Sequence, residues 1–188
     1  MSLLRNLFIA AAPFVLAAGL SAQGQAVASA SSQSEESPWL EVNIYRLAMD
    51  PLSNQPVVLL SDPPEERVMP IWIGPFEANA LNSEMAGIPN IRPQTHDLLE
   101  SVMRKAAMKV LRIAITHLQG NIYYASVRIE SGDTVMEVDS RPSDALVMAL
   151  KFKAPIFISR SLFMEKAHPL RKEEEEEDLW YEAPGEPI

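Results

Sequence analysis

The stretch VMEVDSRPSDALVM, residues 135–148, changes from an alternating apolar and polar pattern to a helical pattern at Pro142. It predicts a strand that leads directly into a helix, because proline is favoured at the first helical position. Asp144 would then lie in the first turn, where the helix dipole stabilises an acid. The stretch VMPIWIGPFEANAL, residues 68–81, repeats this order at an offset of 67 residues, with a proline and Glu77 in the matching places. The sequence therefore predicts an internal duplication.

Two further strand-like segments precede each copy of this stretch. They cover residues 39–49 and 56–62 before the first copy, and residues 109–118 and 121–130 before the second. A helical pattern at 95–107 separates the copies, and a short apolar strand with a brief helix follows the second. We expect an α+β fold built from a duplicated β-β-β-α unit, with mixed or antiparallel sheets and packed helices in a single domain.

The segment RPQTHDLL, residues 92–99, gathers charged side chains at the start of the helix predicted over 95–107. Thr95 is the expected N-cap, and His96 and Asp97 lie in the first turn. The apolar stripe of this helix is expected to consist of Leu98, Leu99, Val102 and Met103. Histidine suits proton transfer near neutral pH, and Arg92 is of the residue type that binds a phosphate by two parallel hydrogen bonds. A histidine at a helix start also has an ordinary structural interpretation.

The segment DSRPSDAL, residues 139–146, holds the second polar group. Asp139 ends a predicted strand and Arg141 lies at the junction with the helix, so both are expected at the sheet edge beside a helix N-terminus, where anions bind readily. The alternatives are a weak surface ion pair between Asp139 and Arg141, and a purely helix-stabilising role for Asp144 and for Glu77.

Residues 1–30 have the order of a secretory signal peptide, with Arg5, an apolar run over 7–20 and small residues at the end. The run is shorter than the ~20 residues of a spanning helix, and Pro13 interrupts it. We therefore expect export to the periplasm or the exterior, with cleavage near the end of this segment and no membrane span afterwards. The alternative is an uncleaved anchor. Residues 31–38 are rich in Ser and Glu and predict a linker to a domain at 39–170.

The net charge of -9 is concentrated at the C-terminus. Residues 39–170 hold 13 Lys and Arg against 15 Asp and Glu, whereas residues 171–188 hold 2 against 8 and predict a disordered acidic tail. The absence of cysteine excludes thiolate nucleophiles, cysteine-ligated zinc and disulfides. The sequence also lacks a phosphate-binding glycine loop, the His-Glu-x-x-His and Gly-x-Ser-x-Gly motifs, and a basic stripe for tight nucleic-acid binding.

Three segments in this order and spacing, MPIWIGPFEANAL (69–81), RPQTHDLL (92–99) and DSRPSDALVMAL (139–150), closely resemble the bifunctional nuclease domain family. The resemblance extends over about 42–167, nearly the whole predicted domain. It implies an α+β fold with a repeated strand and helix unit, and a nuclease activity on DNA and RNA that is ascribed to the family from its plant members. The resemblance supplies motif positions without assigned roles, and the signal peptide and acidic tail depart from the usual member.

Two hypotheses from different classes follow. In the first, the chain is an exported nuclease: Arg92 and Arg141 bind the scissile phosphate, and His96 acts as general acid or base. Asp139 and Asp144, with Asp97 as a further candidate, ligate a divalent ion such as Mg²⁺ or Mn²⁺ that activates water, and no organic cofactor is expected. In the second, the same fold is a non-catalytic binding or assembly module whose tails contact a protein partner. A homo-oligomer is compatible with either hypothesis.

Overall fold

The computed structural model describes residues 37–64 and 66–170. The elements of this part are β1 (Trp39–Met49), β2 (Pro56–Ser61), β3 (Arg67–Trp72), α1 (Pro75–Ala86), α2 (Thr95–Lys105), β4 (Met108–Gln119), β5 (Ile122–Ser131), β6 (Thr134–Ser140), α3 (Pro142–Phe152), β7 (Ile156–Ser159), α4 (Arg160–Lys166) and β8 (His168–Pro169). The predicted signal peptide, most of the predicted linker and the predicted acidic tail lie outside the described residues. Along the described ranges, no helix combines the length and apolar character needed to cross a membrane.

The strands form one sheet in the order β6-β5-β4-β7-β1-β2-β3-β8. All neighbours are antiparallel except β4 and β7, which are parallel. The three strands β1 to β3 lead into α1, and the three strands β4 to β6 lead into α3, so the α+β prediction is confirmed. The two meanders lie on either side of β7 in opposite order. This arrangement accords with the predicted duplication, which itself stays a prediction.

The two helices that follow the meanders begin in the same way. Gly74 and Arg141 have extended backbones as N-caps, and the next residue in each case is a proline at the first helical position. Helices α1 and α3 pack against each other. Ala78 and Ala145, which are 67 residues apart, are both fully buried, and their small side chains permit this close packing.

The core lies between the sheet and its helices. Its largest fully buried side chains come from strands in both meanders, from β7 and from three helices: Leu60, Met69, Ile71, Leu81, Ile113, Ile115, Leu146, Ile158 and Phe163. Burial of one such side chain stabilises a fold by roughly 1.5–3 kcal/mol, so these residues hold the helices against the sheet.

Helix α2 differs from the prediction at its start and on its apolar face. Its N-cap is Gln94 rather than Thr95: the Gln94 N–H donates to the Asp97 carboxylate at 2.8 Å, and the Gln94 side chain accepts from the Asp97 N–H. Of the predicted stripe only Met103 is buried, and the other three members are exposed: Leu98, Leu99 and Val102. Helix α2 is held by Met103 in the core and by ionic contacts to α3, described below.

Candidate functional site

Four charged or titratable side chains meet where α1, α2 and α3 begin, and we call them the Arg141 cluster: Glu77, His96, Arg141 and Asp144. The Arg141 guanidinium donates from Nε to Asp144 Oδ2 at 2.7 Å and from Nη2 to Oδ1 at 3.0 Å. Its Nη1 donates to Glu77 Oε1 at 2.6 Å, which connects α3 to α1. His96 Nε2 lies 2.9 Å from Asp144 Oδ1, which connects α2 to α3. The cluster therefore joins three helices at one point.

Helices α1 and α3 begin alike, and this places two acids near one guanidinium. Glu77 and Asp144 are third residues of their helices, and neither forms a side-chain cap to its own N-cap residue. At the first N-cap, a Cβ on Gly74 would lie 2.2 Å from Glu77 Oε2, so glycine leaves room for that carboxylate. At the second N-cap stands Arg141, whose side chain binds both acids. A helix-stabilising role alone therefore does not account for Asp144, because its side chain binds Arg141 and His96.

The charges of the cluster stabilise one another. Partial burial of Asp144 raises its pKa, but hydrogen bonds from Arg141 and His96 outweigh that effect and hold the pKa below its usual range. The hydrogen bonds to Asp144 and Glu77 raise the pKa of Arg141 further above its already high value. Asp144 is thus an anion at neutral pH that fixes one edge of the His96 ring. A carboxylate that orients a histidine in this way is a recurring element of acid–base sites.

The cluster opens onto a cleft of about 810 Å³ on the helix-covered face of β5 and β6. The rest of the lining is mainly apolar and aromatic, and it includes Phe76, Leu99, Met103, Ile122, Tyr123, Tyr124, Val127, Ile129, Val138 and Met148. A largely apolar cleft with a few polar groups at one place is the usual form of a ligand site, and this volume lies within the range of such sites.

The structure brings four of the six predicted site residues to this cleft: His96, Asp139, Arg141 and Asp144. Asp139 borders it only from the end of β6. Asp139 pairs with Ser126 in the sheet, and the Ser126 hydroxyl donates to the Glu137 carboxylate. Side chains alternate along a strand, so Asp139 and Glu137 lie on the same face of the sheet. This face points away from the helices. Arg92 lies in the loop before α2, is exposed, and does not line the cleft.

Asp97, the sixth predicted residue, belongs to a second ionic group that we call the Lys151 cluster: Glu84, Asp97, Glu100 and Lys151. Lys151 Nζ donates to Asp97 Oδ1 at 2.5 Å and to Glu84, and lies 3.3 Å from Glu100 Oε2. The Lys151 side chain is only 5% exposed. Burial lowers the pKa of Lys151, but the carboxylates raise it by more, and the Lys151 contact in turn lowers the pKa of Asp97. Asp97 therefore holds α2 against α3 and does not line the cleft.

Sequence reasoning missed Glu77 as a member of the site and gave Lys151 no role. The repeat contains the signal that would have found both. At the offset of 67 residues, Glu77 matches Asp144 and Glu84 matches Lys151. Helices α1 and α3 pack together, so the residues of each matched pair lie close to each other. Glu84 binds Lys151 directly, whereas Glu77 and Asp144 both bind Arg141.

The metal ligands predicted from the sequence are Asp139 and Asp144, with Asp97 as a further candidate. Among the described residues, no group of three or more His, Asp or Glu side chains is arranged to hold a metal ion. Mg²⁺ needs fewer protein ligands, since it commonly binds one or two carboxylates and completes its shell with water and phosphate oxygens. Asp139 and Asp144 would suffice in number, although both Asp144 oxygens accept hydrogen bonds from Arg141 or His96. Metal ligation by these two residues stays a prediction.

Comparison with known proteins identifies the family. The model of the bifunctional nuclease domain matches residues 58–171, which include all three motifs and both ionic clusters. Two proteins of Mycobacterium tuberculosis, the uncharacterized proteins MT1877 of strain CDC 1551 / Oshkosh and Rv1829 of strain H37Rv, are each 31% identical over 137 residues. The matched part is 73% of this chain and 82% of each relative. The chain therefore belongs to the bifunctional nuclease domain family.

Proposed function

We propose that this protein hydrolyses phosphodiester bonds of nucleic acid, and that the Arg141 cluster carries out the reaction. The observation that carries the proposal is the contact of His96 with Asp144 beside an exposed guanidinium, at the edge of a cleft large enough for a nucleotide. Membership of the bifunctional nuclease domain family supports the same reaction class. The proposal includes export, which is inferred from the predicted N-terminal signal peptide and not from the fold.

Arg141 is suited to bind the scissile phosphate. A guanidinium has five N–H donors, and three donations from Arg141 go to carboxylates within the described residues. The outer N–H groups of Nη1 and Nη2 are available for phosphate oxygens, and the side chain is 63% exposed. The two carboxylates hold the guanidinium in place before a substrate arrives, which reduces the ordering that binding requires.

His96 is suited to move the proton that hydrolysis requires. Its Nε2 is held by Asp144, and its ring borders the cleft. In the proposed reaction His96 either takes a proton from the attacking water or gives one to the leaving oxygen, and Asp144 orients the ring for that transfer. Asp144, which lines the cleft, would hold Mg²⁺ or Mn²⁺, and such an ion when bound would neutralise charge on the phosphate and lower the pKa of its bound water. The Asp139 side chain faces away from the helices and would have to turn toward the cleft to join it.

One observation favours a second candidate, a non-catalytic binding module. Every charged group of the Arg141 cluster already has an oppositely charged or hydrogen-bonding partner, as in a purely structural ionic network. In that case the cluster would fix the three helix starts, and the cleft would bind a ligand without chemistry. The two candidate functions predict different effects of a His96 substitution. A nuclease would lose hydrolysis, whereas a binding module has no hydrolysis to lose.

The test is a hydrolysis assay with the full chain on single-stranded and double-stranded DNA and RNA, over a series of Mg²⁺ and Mn²⁺ concentrations and with EDTA. We expect His96→Ala to reduce the rate by about 10²- to 10⁴-fold, the usual contribution of a positioned acid or base. Asp144→Asn should cause a loss of the same order. His168→Ala, in the exposed strand β8, is the matched control and should leave the rate unchanged.

Two outcomes would contradict the proposal. Hydrolysis at the wild-type rate by both His96→Ala and Asp144→Asn would move the chemistry elsewhere. No hydrolysis by wild type on any substrate with any ion, either with or without residues 171–188, would favour the binding module. The metal part is tested separately. EDTA should abolish the wild-type rate, and Asp139→Asn should leave the Mg²⁺ concentration needed for half-maximal rate unchanged, because the Asp139 side chain faces away from the helices.

A further inference from the structure

Exposed apolar side chains surround the mouth of the cleft. Phe76 is 88% exposed, and Leu99, Ile122 and Val138 are between 43% and 61% exposed. They come from α1, α2, β5 and β6, and all four line the same cleft. Scattered exposed apolar residues are ordinary, but a group from four elements around one cavity indicates a surface that a ligand covers.

The charges at the cleft do not suit a duplex. Among the described residues that line it, Arg141 is the one Lys or Arg, and it is already paired with Glu77 and Asp144. Asp139 adds a further negative charge at the border. Binding along a duplex depends on neutralising several phosphates with basic side chains, which this lining does not provide. The lining therefore accommodates one phosphate at Arg141 and an uncharged group beside it.

The aromatic lining indicates which uncharged group fits. Phe76 lines the same cleft as Glu77 and Arg141, so an exposed aromatic ring borders the cleft that holds the proposed phosphate site. Tyr123 and Tyr124 also line the cleft. Aromatic side chains bind unpaired bases by stacking, and such binding tolerates any base. A paired base within a duplex has both faces covered and cannot enter a cleft of this kind.

We infer that the apolar cleft beside the Arg141 cluster binds an unpaired base of single-stranded nucleic acid, with Phe76 as the stacking residue. This inference rests on the proposed nuclease function, since it names the substrate of the same site. It places the base in the cleft and its phosphate on Arg141. The expected specificity is strong for strandedness and weak for sequence.

The test is fluorescence anisotropy with the full chain in EDTA, so that binding is measured without hydrolysis. The probes are a labelled 15-nucleotide single strand of mixed sequence and the same strand in a duplex. We expect the single strand to bind more tightly, and Phe76→Ala to weaken its binding about tenfold while leaving weak duplex binding unchanged. Phe76→Trp should retain single-strand binding. Leu52→Ala, at an equally exposed position outside the cleft, is the matched control and should bind as wild type.

Several outcomes would overturn the inference. These are equal affinity of wild type for both probes, wild-type affinity of Phe76→Ala for the single strand, or concentration-dependent self-association in sedimentation that Phe76→Ala abolishes. The last would show that a second copy of the chain covers the apolar rim. Failure here is distinct from failure of the proposed function, because hydrolysis that depends on His96 but not on Phe76 would leave the nuclease proposal intact. Single-strand binding that depends on Phe76, without hydrolysis, would support the base site and contradict the chemistry.

Discussion

The two ionic clusters on α3 use similar residues in opposite ways. In the Lys151 cluster, a cation that is 5% exposed is surrounded by three carboxylates from α1 and α2. In the Arg141 cluster, a cation that is 63% exposed binds two carboxylates through three of its five N–H donors and borders a cleft. Both clusters hold the same three helices together. The difference teaches that saturation and burial make an ionic network structural, whereas exposure and unused donors make it available for a ligand.

The residues that match at the offset of 67 show how the two clusters differ. Glu84 and Lys151 are matched positions with opposite charges, so they attract each other directly across α1 and α3. Glu77 and Asp144 are matched positions with the same charge, so they need a cation between them. Arg141 supplies it from the N-cap, at the surface, where its guanidinium cannot be fully enclosed. The like-charged pair is thus the one that leaves a charged group exposed to solvent.

The largest effect on stability is expected from Lys151→Met. The substitution leaves Glu84, Asp97 and Glu100 close together without their cation, and removal of one partner from a buried ionic group typically costs about 3–5 kcal/mol. Urea unfolding at pH 7 measures the free energy of unfolding. Lys109→Met is the matched control, because its ion pair with Glu130 is on the surface and should contribute less than about 1 kcal/mol. Equal losses for the two variants would remove the distinction between a buried and an open cluster.

Arg141→Ala is expected to show the reverse pattern. Its ion pairs are largely exposed, so the free energy of unfolding should fall by about 1 kcal/mol or less. The hydrolysis rate should fall about 100-fold, because a positioned donor to the charge that develops in the transition state is lost. Arg128→Ala removes an ion pair with Glu137 outside the cleft lining and should change neither quantity appreciably. A rate loss no larger than that of Arg128→Ala would make the Arg141 cluster structural as well.

The sequence predicted the order of the strands and helices because periodicity, proline and glycine act locally. It placed α3 at Pro142 and Asp144 at its third residue, both of which the structure confirms. It did not predict the two-residue strand β8 or the parallel pairing of β4 with β7, since these depend on contacts between distant segments. The apolar stripe of α2 was predicted from the pattern alone, and the pattern cannot show that Met103 is its one buried member and that ionic contacts to α3 also hold the helix.

The sequence predicted only part of the candidate site, because it shows local properties of residues and not contacts between distant segments. His96, Arg141 and Asp144 were identified from residue type and from their places at helix starts, which are local properties. Their contacts with one another depend on how α2 and α3 cross, and the sequence alone does not give that crossing. Asp97 follows His96 directly, yet the two side chains bind opposite ends of α3. Neighbouring polar residues on a helix therefore need not share a site.

Acid should weaken both clusters through their carboxylates. The pKa values of Asp97 and Asp144 are lower in the folded chain than the usual 3.8, so their contribution to stability is present above about pH 4 and is lost as pH falls further. Lys151 has a raised pKa, so its contribution is present below pH 10.5 and is lost as pH rises above that value. Urea unfolding between pH 2.5 and 7 should therefore show a lower free energy of unfolding at the acid end of this range. Asp97→Asn should reduce that acid dependence, and an unchanged pH profile would contradict the pairing with Lys151.

The smallest effect on stability is expected at Gln94, the N-cap residue of α2. Gln94 caps α2 and also lines the cleft, whereas its capping partner Asp97 belongs to the Lys151 cluster. Gln94→Ala should lower the free energy of unfolding by about 0.5–1 kcal/mol, the usual range for a helix cap. Thr95→Ala is the control, because Thr95 is the N-cap predicted from the sequence. It should lower the free energy of unfolding by less than Gln94→Ala does. If Thr95→Ala cost more than Gln94→Ala, Thr95 and not Gln94 would be the residue that caps α2.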